Sequence, residues 1–547
     1  MAIELSNLTF TEQDDIVPAS GVEQILNTGI ANTLAGNDII IGTKEISTDA
    51  GFQKGLNSIF NSGMLNTADG NDLITGTLTQ TKGNLSNPIF LNFNSAIYNS
   101  GSIYTGDGND TITGFVEEGI IFVDGILNER GTIDTGDGND IITGISQTEA
   151  DMAGIRIYDG IINTGDGNDT ITGSSVEYGI VIGGGIFDTG IFDTGDGNDI
   201  ITGTGTFGIF TSSIFTTGDG NDTITGTNNG DNFYYGNGEG ISNYGLMDTG
   251  DGNDIITGTN TDDTGPNAIS LGIINYGDFI TGNGDDIITG IGTTYGIFNR
   301  STNGNINTGN GNDIITGIGT TYSDDADTAP WGTTHGISNN GTIDTDDGND
   351  SIISHGGLTN AGWVFLGDGD DSIIADTNFP NRALENFNAI ETGDGDDIIT
   401  STGVIYNEGV INTGNGNDYI EGVDIAGTGY GIYNNRGSIN TGNGNDSIIA
   451  NGGFESGLSN KGSVSLGDGE DYIKGFGSGD FYGGNGNDIL ELTSGSYTVG
   501  IWGSAGESTI FTKGNQFMTT SEFEKLKAGN TLYDFTSLTA GQIITVA

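Results

Sequence analysis

The sequence predicts an all-β chain folded as a parallel β-helix or β-roll-like solenoid that is capped at both ends. Three observations lead to this prediction. A ten-residue phrase, Thr-Gly-Asp-Gly-Asn-Asp-x-Ile-x-Gly, recurs along the chain, for example at 135–144 and 164–173. Apolar and polar residues alternate within each copy, as they do in a strand with one buried face. The 547 residues include 100 glycines but only 5 prolines, a composition rich in tight turns and unlike collagen or a proline-rich linker.

The repeated phrase defines the organisation of the chain. It occurs in 17 copies, and the shortest full unit, from Asp397 to Asp418, takes 21 residues. One unit cannot bury both faces of its strands, whereas stacked units can. The sequence therefore predicts an N-terminal cap at 1–26, a repeat solenoid at 27–491 and a C-terminal cap at 492–547. The copies end at Asp38, Asp72, Asp110, Asp140, Asp169, Asp199, Asp222, Asp254, Asp286, Asp313, Asp350, Asp371, Asp397, Asp418, Asp446, Asp471 and Asp488.

A second phrase, Ile-x-Asn followed by Gly and Ile, precedes most copies. Each unit is predicted to hold two or three short strands separated by turns of Gly, Asn and Asp. Ile133 and Ile142 are expected to point inward. Extra residues collect between one phrase and the next, as at 320–336, so loops should leave each coil at one edge. Stacking predicts a ladder of buried amides formed by Asn99, Asn128, Asn243, Asn407 and Asn434.

The charge balance points to a cation. There are 74 acidic residues against 13 basic ones, a net charge of −61. Stacking places the 17 aspartates in one column, where like charges in a partly desolvated corner raise the pKa values or unfold the chain unless a cation neutralises them. Ca²⁺ accepts six to eight oxygens, from carboxylates and backbone carbonyls together. The alternative, that Asp and Asn only form tight turns, remains open.

The repeats resemble those of the repeats-in-toxin (RTX, hemolysin-type) family. Residues 483–491, Gly-Gly-Asn-Gly-Asn-Asp-Ile-Leu-Glu, match the nonapeptide Gly-Gly-x-Gly-x-Asp-x-(apolar)-x, and 475–481 and 229–233 resemble degenerate copies. The resemblance implies Ca²⁺ sites at the 17 aspartates. Copies here lie 17 to 38 residues apart rather than nine, so ions are expected at one corner of a wider coil. The implied carbonyl ligands lie near Gly108, Gly138, Gly167, Gly197, Gly220, Gly252 and Gly486.

The two ends of the sequence provide the evidence for the cellular location of the protein. The first residues lack a basic segment followed by an apolar run, and there are no cysteines. The tail from Leu492 to the uncharged end at 543–547 resembles the uncleaved C-terminal signal of proteins exported by type I secretion machinery. That resemblance implies an extracellular or cell-surface protein, in general repeat character similar to cyanobacterial surface proteins of the oscillin type. An acidic cytosolic protein, and a tail that is only a cap, remain alternatives.

Several partners and functions are disfavoured by composition. The scarcity of basic residues excludes a nucleic-acid surface, and no apolar run is long enough for a membrane span. Only His335 and His355 are histidines, and no lysine lies between Lys82 and Lys461, so the few groups suited to acid–base chemistry predict that the chain is not an enzyme. A calcium-dependent polysaccharide lyase or epimerase on a β-helix is the alternative.

The predicted role is structural or adhesive. A column of outward threonines offers a flat, repetitive face for another copy of the chain, surface polysaccharide or ice. Alternatively, β-branched residues simply suit exposed strands. The column includes Thr113, Thr143, Thr172, Thr202, Thr225, Thr257, Thr289 and Thr316.

Overall fold

The computed structural model confirms the predicted fold class, a parallel β-solenoid. It describes residues 2–18, 23–47, 57–81, 94–117, 123–147, 152–184, 188–229, 237–261, 269–320, 335–376, 382–425, 427, 429–455, 461–503 and 508–547. Its contacts divide the chain into a first unit, Met1–Gly296, and a second unit, Ile297–Ala547. The predicted insertion at 320–336 and the degenerate copy at 229–233 lie largely outside the described residues.

Most coils contribute one strand to each of three parallel ladders. The asparagine ladder holds the strands that end at or near the Asn of the second phrase. The pre-turn ladder holds the strands just before the acidic Gly-Asp-Gly-Asn-Asp turn, and the post-turn ladder holds the strands just after it. Three strands per coil is the upper figure that the sequence predicted.

The first unit contains the following strands. Its asparagine ladder comprises Ala2–Glu4, Gln24–Asn27, Ile59–Asn61, Ser95–Asn99, Asp124–Glu129, Ala153–Tyr158, Tyr178–Ile182, Phe207–Thr211, Asn237–Asn243 and Ile269–Asn275. Its pre-turn ladder comprises Ile30–Asn32, Met64–Asn66, Ser102–Tyr104, Thr132–Asp134, Ile161–Asn163, Ile191–Asp193, Ile214–Thr216, Leu246–Asp248 and Asp278–Ile280. Its post-turn ladder comprises Ile16–Val17, Ile39–Ser47, Leu73–Thr81, Thr111–Val116, Ile141–Ser146, Thr170–Ser175, Ile200–Gly205, Thr223–Asn228, Ile255–Asn260 and Ile287–Gly292.

The second unit repeats the pattern, and the strand Tyr295–Asn299 contains the division between the units. Its asparagine ladder continues with His335–Asn339, Leu358–Asn360, Arg382–Asn386, Val404–Asn407, Ile432–Asn434 and Phe454–Glu455. Its pre-turn ladder comprises Asn305–Asn307, Thr342–Asp344, Trp363–Phe365, Ala389–Glu391, Val410–Asn412, Ser438–Asn440, Ser463–Gly469 and Gly479–Gly486. Its post-turn ladder comprises Ile314–Gly319, Ser351–His355, Ser372–Asp376, Ile398–Ser401, Tyr419–Val423, Ser447–Asn451, Tyr472–Lys474 and Ile489–Leu492.

The end of the second unit departs from the parallel pattern. Gly495–Trp502 pairs antiparallel with both Ser508–Lys513 and Ile543–Val546, and Lys525–Ala528 pairs antiparallel with Thr531–Asp534. Gln516–Ser521 pairs with Ser508–Lys513 and, in parallel, with Gly479–Gly486. Single turns of 3₁₀ helix occur at Leu5–Asn7 and Phe535–Ser537. No helix among the described residues is long and apolar enough to cross a membrane.

The core is one side chain thick and is filled from all three ladders. Ile126, Ile133 and Ile142 of one coil are each fully buried, and each aligns with its counterpart in the next coil. Removing such a column from water stabilises the stack by about 25 cal/mol for each Å² of apolar surface. The inward positions of Ile133 and Ile142 confirm the prediction from alternation.

The predicted asparagine ladder is present in each unit, but in the first unit it is interrupted between Asn128 and Asn243, where the same position holds Ile157, Ile182 and Thr211. Asn99 Nδ2 donates to Asn128 Oδ1 at 2.8 Å and to the Thr132 carbonyl at 2.9 Å. In the second unit Asn407 Nδ2 donates to Asn434 Oδ1 at 3.0 Å. These side chains are buried, and their amides bond to side chains and backbone carbonyls of neighbouring coils rather than to water.

Candidate metal-binding corner

The acidic turn is shaped by its two glycines. At Gly136 and Gly138 the φ angles are +79° and +150°, values that residues with a side chain rarely adopt. The coils also approach closely there, because a Cβ on Gly138 would lie 1.5 Å from the carbonyl oxygen of Gly108. The second turn glycine of each coil therefore directs its carbonyl oxygen along the stack toward the next coil.

The 17 aspartates that end the turns form a buried column in each unit. All are at most 2% exposed, and the Oδ1 atom of one accepts a hydrogen bond from the backbone N–H of the aspartate in the preceding coil. The Asp110 N–H, for example, donates to Asp140 Oδ1 at 2.7 Å, and in the second unit the Asp350 N–H donates to Asp371 Oδ1 at 2.7 Å. The register predicted from the phrase places these carboxylates directly above one another.

Two acidic residues outside the repeated phrase extend the columns. The Asp15 N–H donates to Asp38 Oδ1 at 2.7 Å at the start of the first unit. Near the end of the second unit, the Asp488 N–H donates to Glu524 Oε2 at 2.9 Å. The sequence interpretation missed both residues, because neither belongs to a copy of the phrase.

The second carboxylate oxygen, Oδ2, is what makes this corner chemically unusual. In five coils it accepts a hydrogen bond from the threonine that opens the turn, as between Thr281 and Asp286 at 2.6 Å; the other pairs are Thr217–Asp222, Thr249–Asp254, Thr392–Asp397 and Thr413–Asp418. In eleven other coils the buried Oδ2 has no hydrogen-bond partner: Asp38, Asp72, Asp110, Asp140, Asp169, Asp199, Asp350, Asp371, Asp446, Asp471 and Asp488.

Burial shifts the acidity of the column. It raises the pKa of Asp140 and Asp169 to about 7 and that of Asp254 to about 8. At Asp254, hydrogen bonds from Thr249 and from the backbone N–H of Asp222 oppose this shift, and the neighbouring aspartates add to it. Near neutral pH, the buried carboxylates must therefore either hold protons or be neutralised by cations.

Two exposed columns lie on the outside of the same corner in the first unit. The Asp196 N–H donates to Asp166 Oδ1 at 3.3 Å, and the Asp219 N–H donates to Asp196 Oδ1 at 3.1 Å. The fourth residue of the turn does the same, with the Asn168 N–H donating to Asn139 Oδ1 at 2.7 Å. These second and fourth positions were visible in the phrase, yet the interpretation gave a role only to the buried aspartates.

The donor set suits calcium better than a metal that needs clustered side chains. Among the described residues, no group of three or more His, Cys, Asp or Glu side chains is placed to hold a metal ion. A cation at this corner would therefore take one or two carboxylates and complete its shell with turn carbonyls, a mixture that Ca²⁺ accepts. The unpartnered Oδ2 atoms and the carbonyls directed along the stack fit that requirement. The 17 aspartates and the seven glycines named above remain the predicted ligands.

The two histidines lie in strands, His335 in the asparagine ladder and His355 in the post-turn ladder. His355 Nδ1 lies 2.7 Å from Asp376 Oδ2 on an adjacent strand of the post-turn ladder. His335 Nδ1 lies 3.0 Å from Thr359 Oγ1, and burial lowers the pKa of His335 to about 4.

The fold and the acidic corner define a parallel β-solenoid repeat protein. No family of proteins matches the chain, and no curated protein does, so membership in the repeats-in-toxin family remains a prediction. Among solved structures, the chain is similar to a hyperactive, Ca²⁺-dependent, β-helical antifreeze protein from an Antarctic bacterium. The identity is 16%, the match covers 86% of this chain and 82% of that chain, and the TM-score is 0.29. A likeness this weak supports no conclusion about function.

Proposed function

We propose that this chain is a calcium-binding repeat protein that folds on binding Ca²⁺ and serves as a structural or adhesive component outside the cell. The observation that carries the proposal is the column of buried carboxylates, eleven of which have an unpartnered Oδ2 atom. Leaving a buried charge or acceptor unsatisfied costs several kcal/mol. Calcium ions between coils would supply the missing partner.

Charge supports the same proposal at the scale of the whole chain. A net charge of −61 opposes the compact state through self-repulsion. If each turn bound one ion, the ions would add about +34 and leave a net charge of roughly −27. Because the folded state would bind calcium and the unfolded state would not, the metal would add directly to the free energy of unfolding.

Metal-coupled folding also fits the proposed export route. A chain that is unfolded in a low-calcium cytosol can pass through a type I secretion channel, and millimolar calcium outside the cell then saturates even weak sites. The absence of cysteine from the sequence is compatible with this route. The proposed location is therefore extracellular or at the cell surface.

We propose a non-catalytic role because the acidic chemistry is repeated. Each turn aspartate has counterparts in the coils above and below, as in the series Asp140, Asp169 and Asp199. A single active site would need one coil to differ from its neighbours. Incubating the calcium-loaded protein with acidic polysaccharides should yield no new reducing ends or unsaturated products, and the appearance of either would favour the lyase or epimerase alternative.

The decisive experiment is a calcium titration followed by circular dichroism, with reversal by EGTA. We expect strand signal and a compact hydrodynamic radius to appear together on adding calcium and to disappear on chelation. A chain that keeps its full strand content and compact size after exhaustive removal of calcium would contradict the proposal.

A further inference from the structure

The post-turn ladder of the first unit carries a large uncharged outer face. Nine successive strands, from Ile39–Ser47 to Ile287–Gly292, align their first, third and fifth residues in three outward columns. These 27 positions hold Thr, Ile, Ser, Leu and one Phe, and none is charged. Several are well exposed, including Ile141 at 44%, Ile200 at 49% and Ile255 at 44%. We call these residues the threonine–isoleucine face.

The fold itself does not require this face to be uncharged. Charged residues make up 16% of the chain, so 27 average positions would hold about four of them. The same outward positions in the second unit do carry polar and charged groups, among them His355, Asp376, Glu421 and Lys474. Because exposed strands tolerate charge in one unit, β-strand propensity alone does not explain its absence from the other.

The dimensions of the face match those of a stable protein interface. Nine strands at about 4.8 Å span roughly 43 Å, and five residues at about 3.3 Å, with side-chain margins, span about 15 Å. Two such faces in contact would bury roughly 1,300 Å² in total, within the range of specific interfaces. The alternating Thr and Ile side chains can also interdigitate across paired sheets.

We infer that the threonine–isoleucine face of the calcium-loaded protein docks on the same face of a second copy, giving a two-fold symmetric dimer. In a chain of net charge −61, this face is where another copy can approach without bringing carboxylates together. The self-complementary patch is the type of surface that a two-fold interface requires. The inference rests on the proposed function only in that the solenoid must be folded and calcium-loaded.

The test is sedimentation of the full chain in calcium at increasing NaCl. We expect a monomer–dimer equilibrium that shifts toward dimer as salt rises, because screening weakens the repulsion between two acidic copies while the apolar contact is retained. An association driven by charge attraction would weaken with salt instead. A folded, calcium-loaded chain that stays monomeric at every salt concentration would overturn the inference.

A variant with Thr143→Lys, Thr172→Lys and Thr202→Lys should raise the dimer dissociation constant at least about 100-fold, because three charges would be buried without partners. The matched control carries Ser102→Lys, Thr132→Lys and Ile161→Lys, which add the same charges on outward positions of the pre-turn ladder. Both variants lower the net negative charge equally, so only the position of the charges differs. Equal dimerisation of the two variants would overturn the inference.

If the threonine–isoleucine face binds polysaccharide or ice instead of a second copy, the experiments give different results. A monomer that co-sediments with neutral crystalline polysaccharide, or that is incorporated into growing ice, would assign the face to that partner and overturn self-docking. Circular dichroism on the same samples separates this failure from failure of the proposed function, because a calcium-responsive monomer would disprove only the dimer. We expect both lysine variants to keep the calcium-dependent strand signal of the unmodified chain.

Discussion

The carboxyl group of Asp199 shows why single residues of the buried column should control metal dependence. It is fully buried, its Oδ1 accepts from the Asp169 N–H at 2.8 Å, and its Oδ2 has no partner. In Asp199→Asn the amide oxygen can keep the hydrogen bond from Asp169 while the charge is lost. In saturating calcium, we expect the free energy of unfolding of this variant to be about 1–3 kcal/mol lower than that of the unmodified chain, because the ion loses a carboxylate ligand, as measured by denaturant titration.

The control for this substitution lies three residues away in the same turn. Asp196→Asn removes a charge from the exposed column, where the Oδ1 atom accepts from the Asp219 N–H at 3.1 Å. An exposed change of this kind should alter stability by less than about 0.5 kcal/mol. If Asp199→Asn and Asp196→Asn behaved alike, the buried column would not be the site that couples metal to folding.

The raised pKa values of the buried aspartates predict how stability depends on pH. Burial raises the pKa of Asp140, Asp169 and Asp222 to about 7, whereas the unfolded chain releases these protons near its ordinary pKa of 3.8. Between these values the folded state binds more protons, so stability decreases as pH rises through the window. We therefore expect the chain in calcium-free buffer to gain strand signal in circular dichroism as the pH is lowered from about 8 to about 5.

Calcium should weaken that pH dependence, because metal ions replace protons on the carboxylates. Circular dichroism with saturating calcium at the same pH values makes the comparison. A calcium-free chain whose strand signal does not increase as the pH is lowered would show that protonation of the buried aspartates does not stabilise the folded state.

At the residue scale, the sequence predicted which side chains align but not how each oxygen is used. The 17 turn aspartates and the asparagines at Asn99 and Asn407 stand out because they recur at one position of the repeat. The backbone hydrogen bond to each Oδ1, and the extension of the column to Asp15 and Glu524, depend on the stacking of coils. Stacking brings together residues from different coils, so a short sequence motif does not reveal these contacts.

At the scale of the turn, the glycines allow adjacent coils to approach each other closely. Gly138 has a φ of +150°, and a Cβ there would lie 1.5 Å from the Gly108 carbonyl oxygen. Gly138→Ala would have to separate adjacent coils, so we expect it to lower the free energy of unfolding by at least about 3 kcal/mol, as measured by denaturant titration in calcium.

The matched control for this element is Gly184→Ala. The nearest atom to a Cβ at Gly184 is Asp188 Oδ2 at 3.5 Å, an ordinary contact, so stability should change by less than about 1 kcal/mol. Equal destabilisation of the two variants would indicate that the coils can separate at the acidic corner without cost.

Elements of the repeat were predictable, whereas the final strands were not. Alternation around Ile142 marks a strand because one face is buried in every coil. Gly495–Trp502 pairs antiparallel with Ser508–Lys513 and Ile543–Val546. These strands lie outside the repeat, so no recurring sequence pattern predicts their pairing. The sequence interpretation therefore gave a cap at 492–547 without its strands.

At the scale of the whole molecule, the division into two units is also hidden from the sequence. Copies of the phrase ending at Asp286 and Asp313 lie on either side of the division at Gly296, and from the opening threonine to these aspartates they differ only in Asp285 against Asn312. The sequence does differ in the outward columns of the post-turn ladder, which are uncharged in the first unit and carry residues such as Asp376 and Glu421 in the second.

The identity of the ion distinguishes coordination from screening in a chain of net charge −61. Sodium chloride screens the repulsion between carboxylates, but this screening does not require coordination of an ion at the turns. Mg²⁺ carries the same charge as Ca²⁺, but it demands a small octahedral shell and retains its waters. We therefore expect calcium to restore strand signal and compact size together, while magnesium or sodium at equal ionic strength restores at most part of the compaction. Circular dichroism and small-angle X-ray scattering on the same samples measure both quantities.

Full recovery of strand signal and compact size in magnesium or sodium would mean that screening of the charge is enough for folding, and that the buried carboxylates bind no specific ion.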